Sequence, residues 1–543
     1  MYIVERRARI LLLFVFAVAL ALRLAYIGFG LPSLYDPDEP LFMVKAAQLI
    51  ADRTLNPRWF GHPGSTTIYL TALIQIATFL VGFLAGSFRS VGDFISAAYA
   101  DPTIAFLPVR VVMALIGAAC AALTFAIAKR LFGLTVAVLS GLFVALNSLH
   151  MAWSQVIRTD NQASFFMLLV IFVAMRLVKS GRRRDALFSG LLTGAAIATK
   201  WPAATVFVAV IGACLLLVRT GRLSVRQGAA YVGIAAGGTL AGLFLCSPFL
   251  LFDYQIVVAN LSNEARPQHL GHTGTGFVGN LWTYVSVYAE QAMGWLGLGL
   301  ALIGLLVASG NRVARYVVLP AFGLFMIGIS AQSLIWSRWL VPGIPYLAIF
   351  AAVGIQRLAL TTGQVLKIRA PAAIALLSLI GLAQSAVSAV GQIRERATDT
   401  RTLAARWLTA HARPGSSVVL EHMELGLRDK PFRFLFPVGS AGCRDARSLL
   451  RGEVNYDQVE KARAESPIVD LGSIPAPVSQ SCRADYAILT YYDLYVEEAN
   501  RFPGALRSYR TILSGGRTVA LFRPVRGKVG GPIVRIVAVP TQQ

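Results

Sequence analysis

A chain of 543 residues with 56% hydrophobic and 14% charged side chains departs from soluble domains, in which about a quarter of residues are charged. No soluble core absorbs that much apolar surface, and a mean hydropathy of +0.62 makes lipid the expected solvent for most of the chain. The net charge of +23 would suggest a nucleic-acid partner for a soluble protein, but the basic residues sit in short loops between apolar runs, where they report orientation instead.

The first apolar run, near 10–28, follows Arg6, Arg7 and Arg9 and lacks a small-x-small cleavage site. It reads as a retained signal anchor with a cytoplasmic N-terminus. An outer loop, 29–105, follows. Further runs near 106–128, 132–148, 162–179, 185–199, 202–218, 228–250, 293–308, 316–331, 339–356 and 371–391 approach the ~20 apolar residues that cross a bilayer. That makes eleven expected crossings, with eleven to thirteen as the range. Lys129 and Arg130, then Lys179 with Arg182, Arg183 and Arg184, then Arg219, Arg222 and Arg226, then Arg312 and Arg315, then Arg357, Lys367 and Arg369 recur at every second loop, as the positive-inside rule demands. The stretch 66–86 is apolar enough to span, yet counting it would reverse every later loop, so parity argues against a simple crossing.

From about residue 394 the pattern becomes soluble. Residues 418–420 and 487–489 read as short buried strands and 403–410 as an amphipathic helix. The expected organisation is a polytopic α-helical membrane domain, 1–393, and a C-terminal soluble α/β domain, 394–543, on the outer side. Cys120, Cys214 and Cys246 lie in apolar runs and read as inert small core residues. Cys443 and Cys482 fall in the outer domain, where an oxidising compartment would permit a disulfide.

The chemistry-bearing residues collect in the outer loops. Asp36, Asp38 and Glu39 stand just outside the first run, stiffened by Pro37 and Pro40, and 41–50 alternates at helical spacing as a surface helix would. The bland reading of an acidic pair is a solvated loop or helix N-cap. A second outer loop places Arg158, Asp160 and Asn161 at the mouth of the next run, where a charge is costly without a partner. There the bland reading is an N-cap at Asp160 and a snorkelling Arg158. His62, Lys200, Arg266, His269, His272 and Arg338 belong to the same face and together suit an anionic headgroup, because Lys and Arg stay charged and a forked Arg also orients. His269 and His272, spaced i, i+3, could ligate a divalent metal with Asp38 or Glu264, although two histidines without a third fixed ligand are weak evidence.

Read together, PDEPLFMVKAAQLI, GHPGSTTIYL, AKRLFG, NSLHMAWSQVIRTDNQASFF, ATKWPA and SRWLVPGIPYLAIFAAVGI resemble, in that order, the GT-C glycosyltransferases, and within them the bacterial branch of the protein O-mannosyltransferase and lipid A aminoarabinose transferase family. The resemblance covers roughly 8–360, and TRTLAARWLTAHARPGSSVVL looks like the family's entry into its outer domain. It implies a polyprenyl-phosphate sugar as donor and an acceptor glycan, lipid or protein, with transfer at the outer face of a bacterial inner membrane. It also implies that Asp38 is the acceptor's base, with Glu39 and Asp160 beside it, and that Lys200 and Arg338 lie near the donor phosphate. The chain departs from the family at GHPGS, where two prolines and a leucine usually follow a basic residue, and at Asn161. A transporter and a silent glycan-lipid-binding scaffold are the rival functions, but transporters place unusual residues near the midplane, not at one face.

Overall fold

The structure, a computed structural model, describes residues 2–365, 367, 369–421, 425–427, 429–446 and 470–540. The chain divides into two compact units, Met1–Ile27 with Asp38–Val390, and Gly28–Pro37 with Gly391–Gln543.

The first unit is helical. In order it contains α1 (Tyr2–Leu24), α2 (Glu39–Ala51), α3 (Ser65–Leu84), α4 (Val91–Ala100), α5 (Thr103–Phe132), α6 (Leu134–Ala145), α7 (Ser148–Ser154), α8 (Thr159–Ser180), α9 (Arg183–Thr199), α10 (Phe207–Arg219), α11 (Val225–Cys246), α12 (Phe249–Phe252) and α13 (Tyr254–Glu264). α14 (Phe277–Val287), α15 (Gly294–Ala308), α16 (Leu319–Ser330) and α17 (Ile344–Val365) follow, and α18 (Ala370–Ala397) contains the boundary at Val390. Among the described residues, eight helices are long and apolar enough to cross a membrane, nine if the bent pair α6 and α7 is one span. The eleven expected crossings all fall on helices. α1 carries too many charges for that criterion, and α9 and the segment Ala314–Ser330 are too short for it.

The basic loops meet in pairs. The Arg222 guanidinium donates to the Lys179 carbonyl at 3.1 Å, the Tyr231 hydroxyl to the Gly181 carbonyl at 2.9 Å, and the Asn311 amide to the Leu131 carbonyl at 3.1 Å. α3 is among the helices that meet the length and composition criterion. Its first turn donates from Thr67 Oγ1 to Gln162 near the start of α8, and pairs Thr66 with Thr199 at the end of α9, both at 2.6 Å. Its C-terminal half, with Leu73, Ala77 and Val81, lines a groove of about 790 Å³ against Asp101, Ile104 and Leu107 at the start of α5.

Glycine lets α9 and α11 touch backbone to backbone. A Cβ at Gly190 would stand 2.1 Å from the Ala235 carbonyl oxygen, and one at Gly242 2.3 Å from that of Leu191. Small residues allow this approach in lipid, where dispersion and not hydrophobicity holds helices together. The contact fixes the end of α9, which carries Lys200.

In the second unit α19 (Thr400–His411) precedes a six-stranded sheet of β1 (Ser417–Leu420), β2 (Arg433–Pro437), β3 (Cys443–Asp445), β4 (Tyr486–Leu489), β5 (Arg517–Phe522) and β6 (Val534–Ala538), in the order β3-β2-β1-β4-β6-β5. β1 runs parallel to β2 and β4, and the outer pairings are antiparallel. The central strands SVVL and YAIL are apolar almost throughout because both faces are covered. Ala404 and Leu408 of α19 pack on Val418, Ile488 and Ile536. Cys443 and Cys482 are joined in a disulfide.

Two carboxylates are buried beyond the ends of the parallel strands. Glu421 accepts the Thr490 and Tyr491 amides at 2.6 and 3.1 Å and the Tyr509 hydroxyl, while Asp470 accepts the Tyr495 hydroxyl at 2.8 Å. Burial, then the Glu421 charge, pushes Asp470 from 3.8 up to about 7, and burial raises Glu421 as well. A raised carboxyl contributes stability that is full below its unfolded value and is lost as pH rises through the folded one. Amide exchange of β1 and β4, corrected for intrinsic rates, should therefore accelerate between pH 4 and 8, and Asp470→Asn should flatten that dependence. A wild-type slope retained in Asp470→Asn would contradict this assignment.

Candidate active site

The PDEP turn delivers Asp38. Asp38 occupies the N-cap position of α2, but its carboxylate makes no capping bond. It turns instead to Arg158, with which it forms a close ion pair, and to the Arg338 guanidinium at 3.8 Å. α2 then buries Phe42, Met43, Ala46 and Leu49 along one face, the i, i+3, i+4 stripe that the sequence carries.

Asp160 lies in the first turn of α8, and Arg158, not Asp160, takes the N-cap position. Asp160 is 2% exposed and its carboxylate pairs closely with the Lys200 ammonium. Arg158 does not snorkel outward; it is 4% exposed, with its guanidinium 5.1 Å above the Trp153 ring. Both bland readings therefore fail at this pair. Lys200 follows the last turn of α9, and its backbone is tied to the GHPG loop through a Pro63–Lys200 bridge, the Trp201 amide donating to the His62 carbonyl at 2.8 Å, and the Gly64 amide donating to Thr199 at 3.2 Å.

The departure at GHPGS has a local reason. Gly64 has φ +73°, and a Cβ there would stand 2.8 Å from the Trp59 ring and 3.2 Å from that of Phe42. Only glycine adopts this left-handed turn against two aromatic rings without strain. The turn places the His62 ring against Trp59, centroids 5.2 Å apart, with a buried Nδ1 that has no hydrogen-bond partner. Burial, then the charges of Lys200 and Arg338, pushes His62 down to about 3. At neutral pH it is an uncharged imidazole and does not replace the family's basic residue as a cation.

The loop 265–276 is zipped to 331–338. Thr273 bridges Leu334, the Gly274 amide donates to Ser333 at 2.8 Å, and the Ile335 amide donates to His272 at 2.9 Å. This carries Arg266, His269 and His272 to the side of Arg338, and Glu264 beside Gly61. Trp336, which the sequence reading overlooked, is the hub: its ring stacks on His272 at 3.4 Å and lies 3.8 Å beneath the Arg338 guanidinium. The SLIWSRW stretch carried the signal, an aromatic residue two before an arginine at a membrane boundary. His269 and His272 direct Nδ1 to the Leu270 and Ile335 carbonyls at 3.0 and 3.2 Å. Among the described residues no three His, Cys, Asp or Glu side chains converge as metal ligands.

Asp38 is 36% exposed on its side chain, while Arg158, Lys200, Arg338 and Asp160 are each below a tenth. Burial works to raise the Asp38 carboxyl, but the charges of Arg158 and Arg338 reverse this and hold it well below the ordinary carboxylate range. Asp38 is ionised at neutral pH. Two carboxylates, Asp38 and Asp160, thus face three cations, Arg158, Lys200 and Arg338. Among these five residues the cations outnumber the carboxylates by one, a balance that suits an anion.

Glu39, expected beside Asp38 in the catalytic set, is not in the opening. It is fully buried in a forked pair with Arg110, whose Nε donates to Oε1 at 2.8 Å, and the same Oε1 accepts the Ile157 amide at 2.9 Å. One carboxylate therefore locks the start of α2 to the residue before Arg158, fixing the distance over which Asp38 meets its partner. Arg110→Met would strand a buried charge and should cost about 3–5 kcal/mol of stability. The loss is read as a lowered thermal midpoint in detergent, with partial recovery in Glu39→Gln/Arg110→Met; a single variant as stable as wild type would remove the lock from the account.

The sequence profile of the family described as dolichyl-phosphate-mannose-protein mannosyltransferase matches residues 104–252, which include Arg158, Asp160 and Lys200. No curated protein matches the chain in sequence. Among solved structures, the oligosaccharyltransferase of Archaeoglobus fulgidus in its apo form is 12% identical, with 94% of this chain and 73% of that one covered at a TM-score of 0.52. The same enzyme in complex with Zn and sulfate is 12% identical, covering 91% and 70%, at 0.50. ArnT from Cupriavidus metallidurans, bound to undecaprenyl phosphate, is 14% identical, covering 98% and 99%, at 0.49. Residues 104–252 thus match the mannosyltransferase family model and hold Arg158, Asp160 and Lys200, and the chain shares its fold with the Archaeoglobus fulgidus oligosaccharyltransferase.

Proposed function

We propose that this protein is a glycosyltransferase that moves a sugar from a polyprenyl-phosphate donor to an acceptor glycan, lipid or protein at the outer face of a bacterial inner membrane, inverting the anomeric carbon, with Asp38 as general base. The observation that carries the reading is the convergence of Arg158, Arg338 and Lys200 on two carboxylates with one positive charge left over. A phosphodiester headgroup supplies the missing negative charge and a leaving group that gathers more as its bond breaks.

The donor phosphate engages Arg338 and Arg158 and draws them from Asp38, which frees a carboxylate oxygen and raises its basicity. Asp38 accepts the acceptor hydroxyl's proton as that oxygen bonds to the anomeric carbon. The bond from that carbon to the phosphate oxygen breaks, and its electron pair leaves on the polyprenyl phosphate, held by the same cations. Asp160 acts through Lys200, holding the ammonium at the mouth of α9.

The test is transfer of label from a panel of polyprenyl-phosphate hexoses and pentoses by the purified protein in liposomes. Labelled acceptor together with released polyprenyl phosphate supports the reading. Movement of a solute across the vesicle with the sugar–phosphate bond intact would replace it with transport.

A further inference from the structure

We propose that Trp153 is the platform for the donor's sugar: its indole face takes the C–H face of the sugar ring while Arg158 and Arg338, beside it, grip the phosphate. The inference lies within the membrane unit and rests on the reading of the site as one that binds a polyprenyl-phosphate sugar.

The short helix α7 is built to hold this ring still. Ser148, Leu149, His150, Met151 and Ser154 are buried, which leaves Ala152 and Trp153 on its open side. The fully buried Arg23 guanidinium donates to the Val144 and Ala145 carbonyls at the end of α6, at 3.1 and 3.2 Å, and to Ser154 Oγ on α7 at 3.2 Å. It also lies 3.0 Å from His150 Nδ1. One side chain therefore fixes the 59° bend between α6 and α7. Asn161, where the chain departs from the family pattern, joins from α8, its Nδ2 donating to Ser154 Oγ at 2.9 Å. A guanidinium enclosed among membrane helices is costly to keep without a task, and what it steadies is the helix that carries Trp153.

The ring stands among the site's cations. Its centroid lies 5.1 Å from the Arg158 guanidinium and 5.9 Å from that of Arg338, and both guanidinia turn to Asp38. A phosphate that draws them from Asp38 therefore stands beside Trp153, and the sugar follows one bridging oxygen further on. The negative face of an indole suits the weakly positive C–H bonds of a sugar ring as it suits the guanidinia. Neighbouring tryptophans are engaged elsewhere. His272 stacks on Trp336 at 3.4 Å and Arg338 lies 3.8 Å from the same ring. Trp59 packs against His62 and Phe42, with centroids 5.2 and 5.8 Å apart, and Trp339 lines an apolar cavity with Met167, Phe325 and Ile329.

The experiment compares wild type with Trp153→Leu and Trp153→Met, which keep an apolar side chain without an aromatic face, and with Trp153→Phe, which keeps a smaller one. Each full-length protein is placed in nanodiscs and normalised to folded protein by size exclusion. Undecaprenyl phosphate and the undecaprenyl-phosphate hexoses and pentoses are titrated in separately, with no acceptor present. Wild type should bind at least one sugar-bearing lipid more tightly than the bare phosphate. Trp153→Leu and Trp153→Met should weaken that lipid tenfold or more and leave undecaprenyl phosphate within threefold, while Trp153→Phe should recover the sugar-bearing lipid to within threefold of wild type. Equal losses for both lipids would overturn the inference and reduce Trp153 to a brace for the two arginines, and unchanged affinity for both would overturn it as well. Transfer separates the two readings: wild-type donor KM in Trp153→Leu removes the platform alone, whereas a wild-type protein that binds none of these lipids and transfers no sugar removes the proposed function and the platform with it.

Discussion

Asp38→Asn should lower the turnover of sugar transfer by about 10³-fold, the size expected when a positioned general base is removed, while the donor KM stays level or falls. The sign of the second effect follows from the charge balance. Asp38 is the counter-charge of Arg158 and Arg338, so neutralising it leaves both guanidinia freer for the donor phosphate. A residue that merely held the fold would lose activity and donor binding together. The substitution is nearly isosteric and the side chain is 36% exposed, so folding is not expected to suffer. Because the neighbouring guanidinia hold the Asp38 carboxyl low in the free protein, kcat/KM, which reports the free enzyme, should show no acid limb in the ordinary carboxylate range around pH 4, and His62, pushed down to about 3, adds none near 6.5. Wild-type turnover in Asp38→Asn would sink the base assignment, and an acid limb near pH 6.5 would sink the account of His62.

The membrane helices were legible because lipid enforces a length and an apolar composition that sequence displays directly, and the alternating basic loops fixed their order. At α3 the composition is that of a span, and parity of the basic loops alone argued against a simple crossing. Asp38, Asp160, Lys200 and Arg338 were legible as charged residues next to hydrocarbon, where an unpartnered charge is too costly to keep without use. Their pairing was not, since sequence offers no register between 38 and 158 or between 160 and 200. The separation of Asp38 from its neighbour Glu39 was equally hidden: the first points at the opening and the second away from it, because Arg110, 71 positions on, claims it. Trp336 went unnoticed for the opposite reason, since an interfacial tryptophan is ordinary and its stacking on His272 depends on two distant loops meeting. In the second unit, 418–420 and 487–489 stood out as short buried strands, and the structure makes them central, whereas β2, β3, β5 and β6 carry arginines that blur the pattern.

Lys200→Met should weaken both the fold and the grip on the donor, and the two losses can be separated. Asp160 is almost fully enclosed and Lys200 is its close ion-pair partner; removing one member of a buried pair typically costs about 3–5 kcal/mol, most of it the penalty of the charge left behind. Asp160→Asn together with Lys200→Met removes both charges, so the thermal midpoint should return most of the way to wild type. Donor binding should not return, because the double variant keeps the net charge but lacks the Lys200 ammonium that meets the phosphate. Asp160→Asn alone is informative in the other direction: it releases Lys200 from its partner, so affinity for polyprenyl phosphate should hold or rise while turnover falls, as the ammonium is no longer held at the mouth of α9. Measured by titration of polyprenyl phosphate into the protein in nanodiscs, a Lys200→Met affinity equal to wild type would remove Lys200 from the phosphate site and leave the pair with Asp160 as a brace between α8 and α9. A fall of tenfold or more, persisting in the stability-restored double variant, would assign to Lys200 a contact with the donor that its contribution to folding does not explain.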